Sequence, residues 1–155
     1  MHLPTSDITI RAARRDDVPA IVVLLADDPL GATREDPDAL PAYQQAFDAV
    51  AVQRGNMILV AERGGAIVGC LQLTLIPGLS RRGMTRAQIE GVRVAAACRG
   101  LGIGEALIRH AIGLARDAGC GLVQLTSDNS RADAHRFYER LGFVASHAGF
   151  KLALD

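Results

Sequence analysis

Hydrophobic residues in the first third of the chain follow two different periodicities. Residues 8–12 alternate between apolar and polar side chains, which predicts a first strand. Apolar residues then recur every three or four positions over 18–25 and again over 43–50, and this spacing predicts two amphipathic helices. The segment between them, Asp27 to Pro41, contains three prolines and a glycine, so we expect a loop or a broken connection there.

A hairpin and a third consecutive strand are predicted for the middle of the chain. The apolar runs 56–62 and 66–75 are separated by Arg63-Gly64-Gly65, a short glycine-containing turn that is typical of a β-hairpin. The glycine- and arginine-containing segment 77–84 predicts a loop. Residues 88–95 then predict the next strand.

The remaining third alternates between helical and strand patterns. A long amphipathic helix is predicted over 103–118 and ends at Gly119, where a glycine can adopt the left-handed conformation that closes a helix. Residues 122–126 predict a short strand, and 134–141 predict a second helix. Residues 143–154 are expected to supply one or two final strands.

The order of the predicted elements is β-α-α-β-β-β-α-β-α-β. Three consecutive strands between helices are incompatible with a doubly wound sheet, so the pattern favours an α+β fold with a mixed sheet. Neither a repeat nor a linker interrupts the chain, and residues 1–155 are therefore expected to form a single domain.

Composition excludes several classes of protein. Lysine plus arginine equals aspartate plus glutamate at 17 each, which argues against a nucleic-acid partner. No apolar run approaches the roughly 20 residues of a membrane span. The start, Met1 to Asp7, is polar and lacks a hydrophobic signal core, and Cys70, Cys98 and Cys120 are scattered as buried free thiols would be. We therefore expect a cytoplasmic protein without a membrane partner.

A glycine-rich turn connects the third consecutive strand to the long helix. The start of a helix leaves about four backbone N–H groups without partners and carries partial positive charge. Glycines let a phosphate approach those groups, and an arginine adds a fork-shaped cation. These features suit a diphosphate, although a turn without any ligand is the alternative. The residues concerned are Arg99, Gly100, Leu101, Gly102, Ile103 and Gly104.

Two common nucleotide-binding loops do not match this turn. The dinucleotide-binding fingerprint requires a third glycine at position 105, which is Glu105. The phosphate-binding loop of nucleotide hydrolases requires Gly-Lys-Ser/Thr, whereas the only lysine of the chain is Lys151.

The turn instead resembles the acetyl-CoA signature of the GNAT superfamily of N-acetyltransferases, which reads Arg99-x-x-Gly102-x-Gly104 here. A second signature of that superfamily resembles Ala134 to Phe143, in the same order and at the same spacing. The resemblance covers roughly residues 87–144. It implies a mixed, mostly antiparallel sheet of about six to seven strands flanked by about four helices. It also implies an enzyme that moves an acetyl group from acetyl-CoA to a primary amine of a small molecule, by direct attack in a ternary complex.

The resemblance assigns contacts with the cofactor to three further residues. Main-chain groups of Val92 and Val94 are implied to meet the thioester and the pantetheine arm. Asn129 falls where the family places an asparagine, so it either contacts pantetheine or caps the next helix. Gly91, between the two parts of this strand, predicts a β-bulge.

Two residues are candidates for proton transfer. Glu90 is a charged residue on an otherwise apolar strand, which is costly unless it faces a cleft. The resemblance implies that it takes the proton of the amine, and the alternative is a salt bridge to Arg93 or Arg86. Tyr138 matches the tyrosine that the family places near the cofactor sulfur, where it donates to the leaving thiolate; the alternative is a core aromatic residue.

The acceptor is less defined by the sequence. Arg81, Arg82 and Arg93 suggest a substrate with an anionic group. A solvated basic turn is the alternative for the first two, and a pair with an acid is the alternative for Arg93. Local similarity around Asp133–Tyr138 resembles the aminoalkylphosphonate N-acetyltransferase branch. No histidine cluster has ligand spacing, so no metal is expected. A protein or peptide N-acetyltransferase and a non-catalytic CoA-binding sensor remain alternatives, and the chain is expected to be a monomer or homodimer.

Overall fold

A computed structural model describes residues 7–155. Residues 1–6, for which the sequence predicts no signal core, lie outside the described range. Contacts divide the chain into two compact units, Met1–Gln124 and Leu125–Asp155. Over the described residues the structure has five strands and six helices. In chain order these are β1 (Ile8–Ala12), α1 (Val18–Ala26), α2 (Gly31–Arg34), α3 (Leu40–Val52), β2 (Asn56–Arg63), β3 (Ala66–Ile76), α4 (Ser80–Gly83), β4 (Arg86–Val94), α5 (Ile103–Asp117), β5 (Leu122–Leu125) and α6 (Ala132–Arg140).

The five strands form one sheet in the order β1-β2-β3-β4-β5, and the three pairings between β1 and β4 are antiparallel. Gly64 and Gly65 form the hairpin turn between β2 and β3 with φ of +56° and +81°, which confirms the predicted hairpin. The predicted element order is confirmed as far as α6.

The prediction of six to seven strands was wrong for the described chain, which has five. Residues 143–155 form no strand although their side chains alternate, and Phe150 is 95% exposed. A strand exists only when its backbone groups pair with a neighbour, and the side-chain pattern alone does not provide that pairing. The count of helices exceeds the expected four because α2 and α4 are four-residue helices inside segments that were predicted as loops.

Helix α5 covers one face of the sheet. The buried side chains of Leu59, Leu71, Leu73 and Ile89 point from alternate positions of the strands, as the period of two requires. A Cβ built on Gly69 of β3 would lie 2.9 Å from Leu107 of α5, so glycine at this position allows the helix to approach the sheet closely. Burial of this face is the main apolar contribution to the stability of the unit. The helix contributes Ile103, Leu107, Ile108 and Ala111.

Helix α1 covers only part of the opposite face. Ile21 and Leu24 of α1 pack against Val60 and Cys70 of the sheet. Further along the strands the same face becomes polar. We call these side chains the polar strip: Asn56 of β2, Gln72 and Thr74 of β3, Gln88 and Glu90 of β4, and Gln124 of β5.

The segment between α1 and α3, which the sequence indicates only as a loop, is held by local hydrogen bonds. The Asp28 carboxylate accepts from the backbone N–H of Gly31. The Tyr43 hydroxyl donates to Glu35 at 2.6 Å, and this bond raises the pKa of Tyr43. Proline is tolerated in the first turn of a helix, which is why α3 begins at Leu40 although Pro41 follows.

Candidate active site

A β-bulge in β4 determines which side chains share a face of the sheet. Glu90 pairs with Gln72 and Arg93 pairs with Cys70, so two residues of β4 oppose one residue of β3. The extra residue is Gly91, whose φ of +61° is favourable only for glycine, and the predicted bulge is therefore confirmed. Because the bulge shifts the alternation by one position, Glu90 and Arg93 both lie on the α1 face.

Glu90 is exposed on that face, beyond the part that α1 covers. The side-chain amide of Gln88 donates to Glu90 Oε1. Gln124 Nε2 in turn donates to Gln88 Oε1 at 3.0 Å. Within residues 7–155 no arginine forms an ion pair with Glu90, so the salt bridge to Arg93 or Arg86 is not found. The exposed carboxylate therefore accepts a hydrogen bond from one amide, that of Gln88.

Arg93 is bound within the protein and does not lie free in a cleft. Its Nε lies 3.1 Å from Asp28 Oδ2, and the two side chains are only 17% and 12% exposed. The Nε contact is an ion pair without the geometry of a hydrogen bond. Arg93 Nη1 donates to the carbonyl oxygen of Val92 at 2.9 Å. The structure thus gives Arg93 an acidic partner, and its contact with the substrate stays a prediction.

The turn before α5 has the geometry of an anion site. Gly100 and Gly102 adopt φ of +80° and +82°, and a Cβ on Gly100 would meet nothing within 4 Å. Glycine is therefore required there by backbone conformation, and the space beside it is open. The N-cap of α5 is Gly102, which has no side chain to cap the helix, so the first N–H groups remain available to a ligand. The buried Ile103 anchors the helix start in the core, whereas Arg99 is exposed.

These residues fit a pyrophosphate. The helix has 15 residues, so its dipole is fully developed, and the exposed guanidinium of Arg99 adds a full positive charge. Arg99 Nη2 also donates to the carbonyl oxygen of Asp27 at 3.3 Å. The α1–α2 loop therefore touches both Arg93 on β4 and Arg99 on the turn.

The strand between Glu90 and the turn is half-buried. Val94 pairs with Gly69 on the α5 face, and Val92 lies in the bulge. The side chains of both valines are half-buried, and they carry no polar atom, so a polar contact with a ligand can come only from their main-chain groups.

The thiol nearest to this strand is unreactive. Cys70 is 2% exposed, and burial raises its pKa to about 12. Its Sγ lies 3.7 Å from the carbonyl oxygen of Gly91. Since a nucleophilic cysteine requires the thiolate, Cys70 does not qualify as a covalent acetyl carrier. In the part of the chain that the structure describes, no three His, Cys, Asp or Glu side chains are grouped to hold a metal ion.

The second unit contains Tyr138 and Asn129. Tyr138 lies on α6, with its ring edge-to-face against Phe137 at 5.1 Å and Phe143 at 5.8 Å between centroids. Asn129 is exposed in the turn before α6. Because the N-cap of α6 is Arg131, the helix-cap alternative for Asn129 does not apply.

Arg81 and Arg82 lie in α4 and are exposed. Both adopt left-handed backbone conformations, with φ of +51° and +61°. Such conformations cost non-glycine residues on the order of 1 kcal/mol each.

Sequence reasoning missed Gln88, Gln124 and Asp28. Gln88 could have been found, because it lies two positions before Glu90 on the same strand and therefore on the same face. Nothing in the local sequence pairs Asp28 with Arg93 or Gln124 with Gln88.

Comparison with known proteins decides the family. The model of the Acetyltransferase (GNAT) family matches residues 19–143. The chain belongs to this family. It is accordingly an N-acetyltransferase, and the resemblance drawn from the Arg99–Gly104 turn and α6 is confirmed. None of the helices in residues 7–155 is both long and apolar enough to cross a bilayer.

The chain is similar to three further proteins. The crystal structure of a transcriptional regulator from Bacillus halodurans C-125 is 46% identical with a TM-score of 0.91, over 95% of this chain and 99% of that one. The aminoalkylphosphonate N-acetyltransferase of Salmonella typhimurium is 34% identical over 113 residues, 73% of each chain. The glucosamine 6-phosphate N-acetyltransferase of Trypanosoma brucei brucei is 38% identical over 90 residues, 58% of this chain and 59% of the relative.

Proposed function

We propose that this GNAT enzyme transfers the acetyl group of acetyl-CoA to the primary amine of a small molecule by direct attack. The observation that carries the proposal is the Gly91 bulge, which presents an exposed Glu90 on the same strand that leads to the uncapped start of α5. The proposal thus puts a proton acceptor and an anion site at the two ends of one continuous segment.

Glu90 is the proposed general base. An alkylamine has a pKa of about 10, so it is protonated at neutral pH and must lose a proton before it can attack a thioester. Glu90 takes that proton, directly or through a water molecule. Tyr138 is proposed to donate to the leaving thiolate, a role that rests on the match of α6 to the family signature.

The acetyl donor is proposed to bind along β4 and the turn. Main-chain groups of Val92 and Val94 receive the thioester and pantetheine, and Arg99 to Gly104 receive the pyrophosphate. Asn129 is proposed as a further pantetheine contact. No metal takes part in this proposal.

The acceptor is proposed to carry an anionic group. The two N-acetyltransferases named above act, by their names, on amines that bear a phosphonate or a phosphate. In this chain the exposed arginines Arg81 and Arg82 are the first candidates to bind such a group. Arg93, which pairs with Asp28, is the third candidate. The protein is proposed to act as a monomer or homodimer.

A thiol-release assay tests the proposal. Purified protein is incubated with acetyl-CoA and a panel of aminophosphonates, amino sugar phosphates, amino acids, neutral amines and peptides. Release of CoA with small anionic amines, and at least a 100-fold loss of kcat in Glu90→Gln, is the expected result. Acetylation of peptides alone would favour the protein N-acetyltransferase. Tight CoA binding without release across the whole panel would favour the sensor.

A further inference from the structure

A chain of side-chain amides runs across the polar strip and ends on Glu90. Gln124 on β5 donates to Gln88 on β4 at 3.0 Å, and Gln88 donates to Glu90 Oε1. All three residues lie on strands of the same sheet, so their backbones are fixed relative to one another.

The direction of this chain follows from charge. An ionised carboxylate can only accept hydrogen bonds, so Gln88 must turn its NH₂ group towards Glu90. The carbonyl oxygen of Gln88 then points away and can only accept, which requires the NH₂ group of Gln124. The orientations of both amides are thus set by a carboxylate at one end, and each bond supports the next.

The arrangement leaves one carboxylate oxygen of Glu90 available to accept a proton. A glutamate has three rotatable side-chain bonds, and an exposed one samples several rotamers. The bond from Gln88 restrains Glu90 through Oε1, whereas no side chain in residues 7–155 donates to Oε2. A base needs one oxygen directed at the proton it removes, and restraint of the other oxygen keeps it there.

We propose that Gln88 and Gln124 are positioning residues for Glu90, which orient the carboxylate for removal of the proton from the amine. This inference rests on the proposed role of Glu90 as the base. Gln88 acts directly on the carboxylate, and Gln124 acts through Gln88.

The polar strip contains its own control. Gln72 lies directly opposite Glu90 in the ladder and on the same face, yet its Nε2 donates to Asn56 Oδ1 at 2.9 Å. If the glutamines serve only to make this face polar, Gln72 and Gln88 should be equivalent. If Gln88 orients Glu90, the two should differ.

The test compares four single variants and one double variant: Gln88→Met, Gln124→Met, Gln72→Met, Glu90→Gln and Glu90→Gln/Gln88→Met. Methionine retains the length of glutamine without its donor and acceptor. We expect kcat to fall about 10-fold in Gln88→Met and about 3-fold in Gln124→Met, with the KM for acetyl-CoA unchanged, because loss of orientation affects the transition state alone. Gln72→Met should remain within about 2-fold of the native enzyme.

The double variant separates positioning from general damage. Once Glu90 no longer removes the proton, removal of Gln88 should cost nothing further, so the double variant should match Glu90→Gln. Equal losses from Gln88→Met in both backgrounds, or equal losses in Gln72→Met and Gln88→Met, would overturn the inference. Full activity in Glu90→Gln would overturn the proposed base instead. Unfolding midpoints of all variants show whether a loss of activity reflects loss of folded protein.

Discussion

The guanidinium of Arg93 and the carboxylate of Asp28 form a largely buried ion pair that joins strand β4 to the α1–α2 loop, with Nε 3.1 Å from Oδ2. Both charges are removed from water, and each compensates the other. The pair lies on the same face as Glu90, three residues further along β4.

Loss of one partner should therefore destabilise the folded protein. We expect Asp28→Asn to lower the free energy of unfolding by about 2–3 kcal/mol, because it leaves Arg93 charged and uncompensated. Urea denaturation measures this change. The matched control is Arg15→Met, which breaks the ion pair between Arg15 and Asp48. Both side chains of that pair are 53% exposed, so this variant should lower the free energy of unfolding by less than about 1 kcal/mol. Equal costs for the two variants would contradict a buried role for the Arg93–Asp28 pair.

Stability should fall in acid because of Asp17. The Arg11 side chain and the backbone N–H of Arg14 donate to this carboxylate and lower its pKa below the ordinary 3.8. Since the pKa is depressed in the folded state, the stabilisation is fully present above about pH 4 and is lost as the pH falls through the folded value. Urea midpoints between pH 7 and pH 2 should fall less steeply in Asp17→Asn than in the native protein.

The neighbouring Asp16 provides the control for that measurement. It is exposed, and its side chain makes none of the contacts of Asp17. Asp16→Asn should reproduce the native pH dependence, and the same flattening in both variants would argue against the Arg11–Asp17 interaction as the cause.

The effect of the bulge on activity can be separated from its effect on stability. Gly91→Ala places a side chain at φ of +61°, which should cost about 1–2 kcal/mol in unfolding free energy. The built Cβ meets only Leu25 at 3.8 Å, so the cost arises from the backbone and not from a clash. Because relief of the strain shifts the strand at Glu90, we also expect kcat to fall more than 10-fold.

Gly64 is the matched control for the bulge. It has φ of +56° with nothing within 4 Å of a built Cβ, and it lies in the β2–β3 turn. Gly64→Ala should show the same loss of stability with native kcat. A comparable loss of kcat in both variants would mean that general destabilisation, and not the bulge, controls activity.

Substitution of Arg99 should weaken the binding of acetyl-CoA and leave the rate of acetyl transfer unchanged. We expect Arg99→Met to raise the KM for acetyl-CoA about 10-fold or more with kcat nearly unchanged, since a phosphate contact is made equally in the ground and transition states. Arg116→Met, at the opposite end of α5, is the control and should leave this KM unchanged. Initial rates at varied acetyl-CoA measure both, and an unaltered KM in Arg99→Met would exclude this residue from the anion site.

The sequence by itself determined most of the elements and the glycine-rich turn before α5, because both depend on local features. The hairpin follows from two glycines between apolar runs, and the start of α5 follows from glycines that adopt positive φ. The same local reasoning reached the bulge at Gly91 and, through the family signature, the N-acetyltransferase class. It failed for residues 143–155, where alternation suggested strands and the chain forms none.

Only the tertiary structure decided what surrounds Glu90. The contact between Gln124 and Gln88 joins residues 36 positions apart, and it exists because β5 lies beside β4. From the sequence, Arg93 could equally have faced a cleft or an acid. In the structure the α1–α2 loop places Asp28 beside it. Side-chain partners across a sheet depend on which strands are neighbours and in which register. Those relations arise from packing of the whole unit and leave no mark in the local sequence.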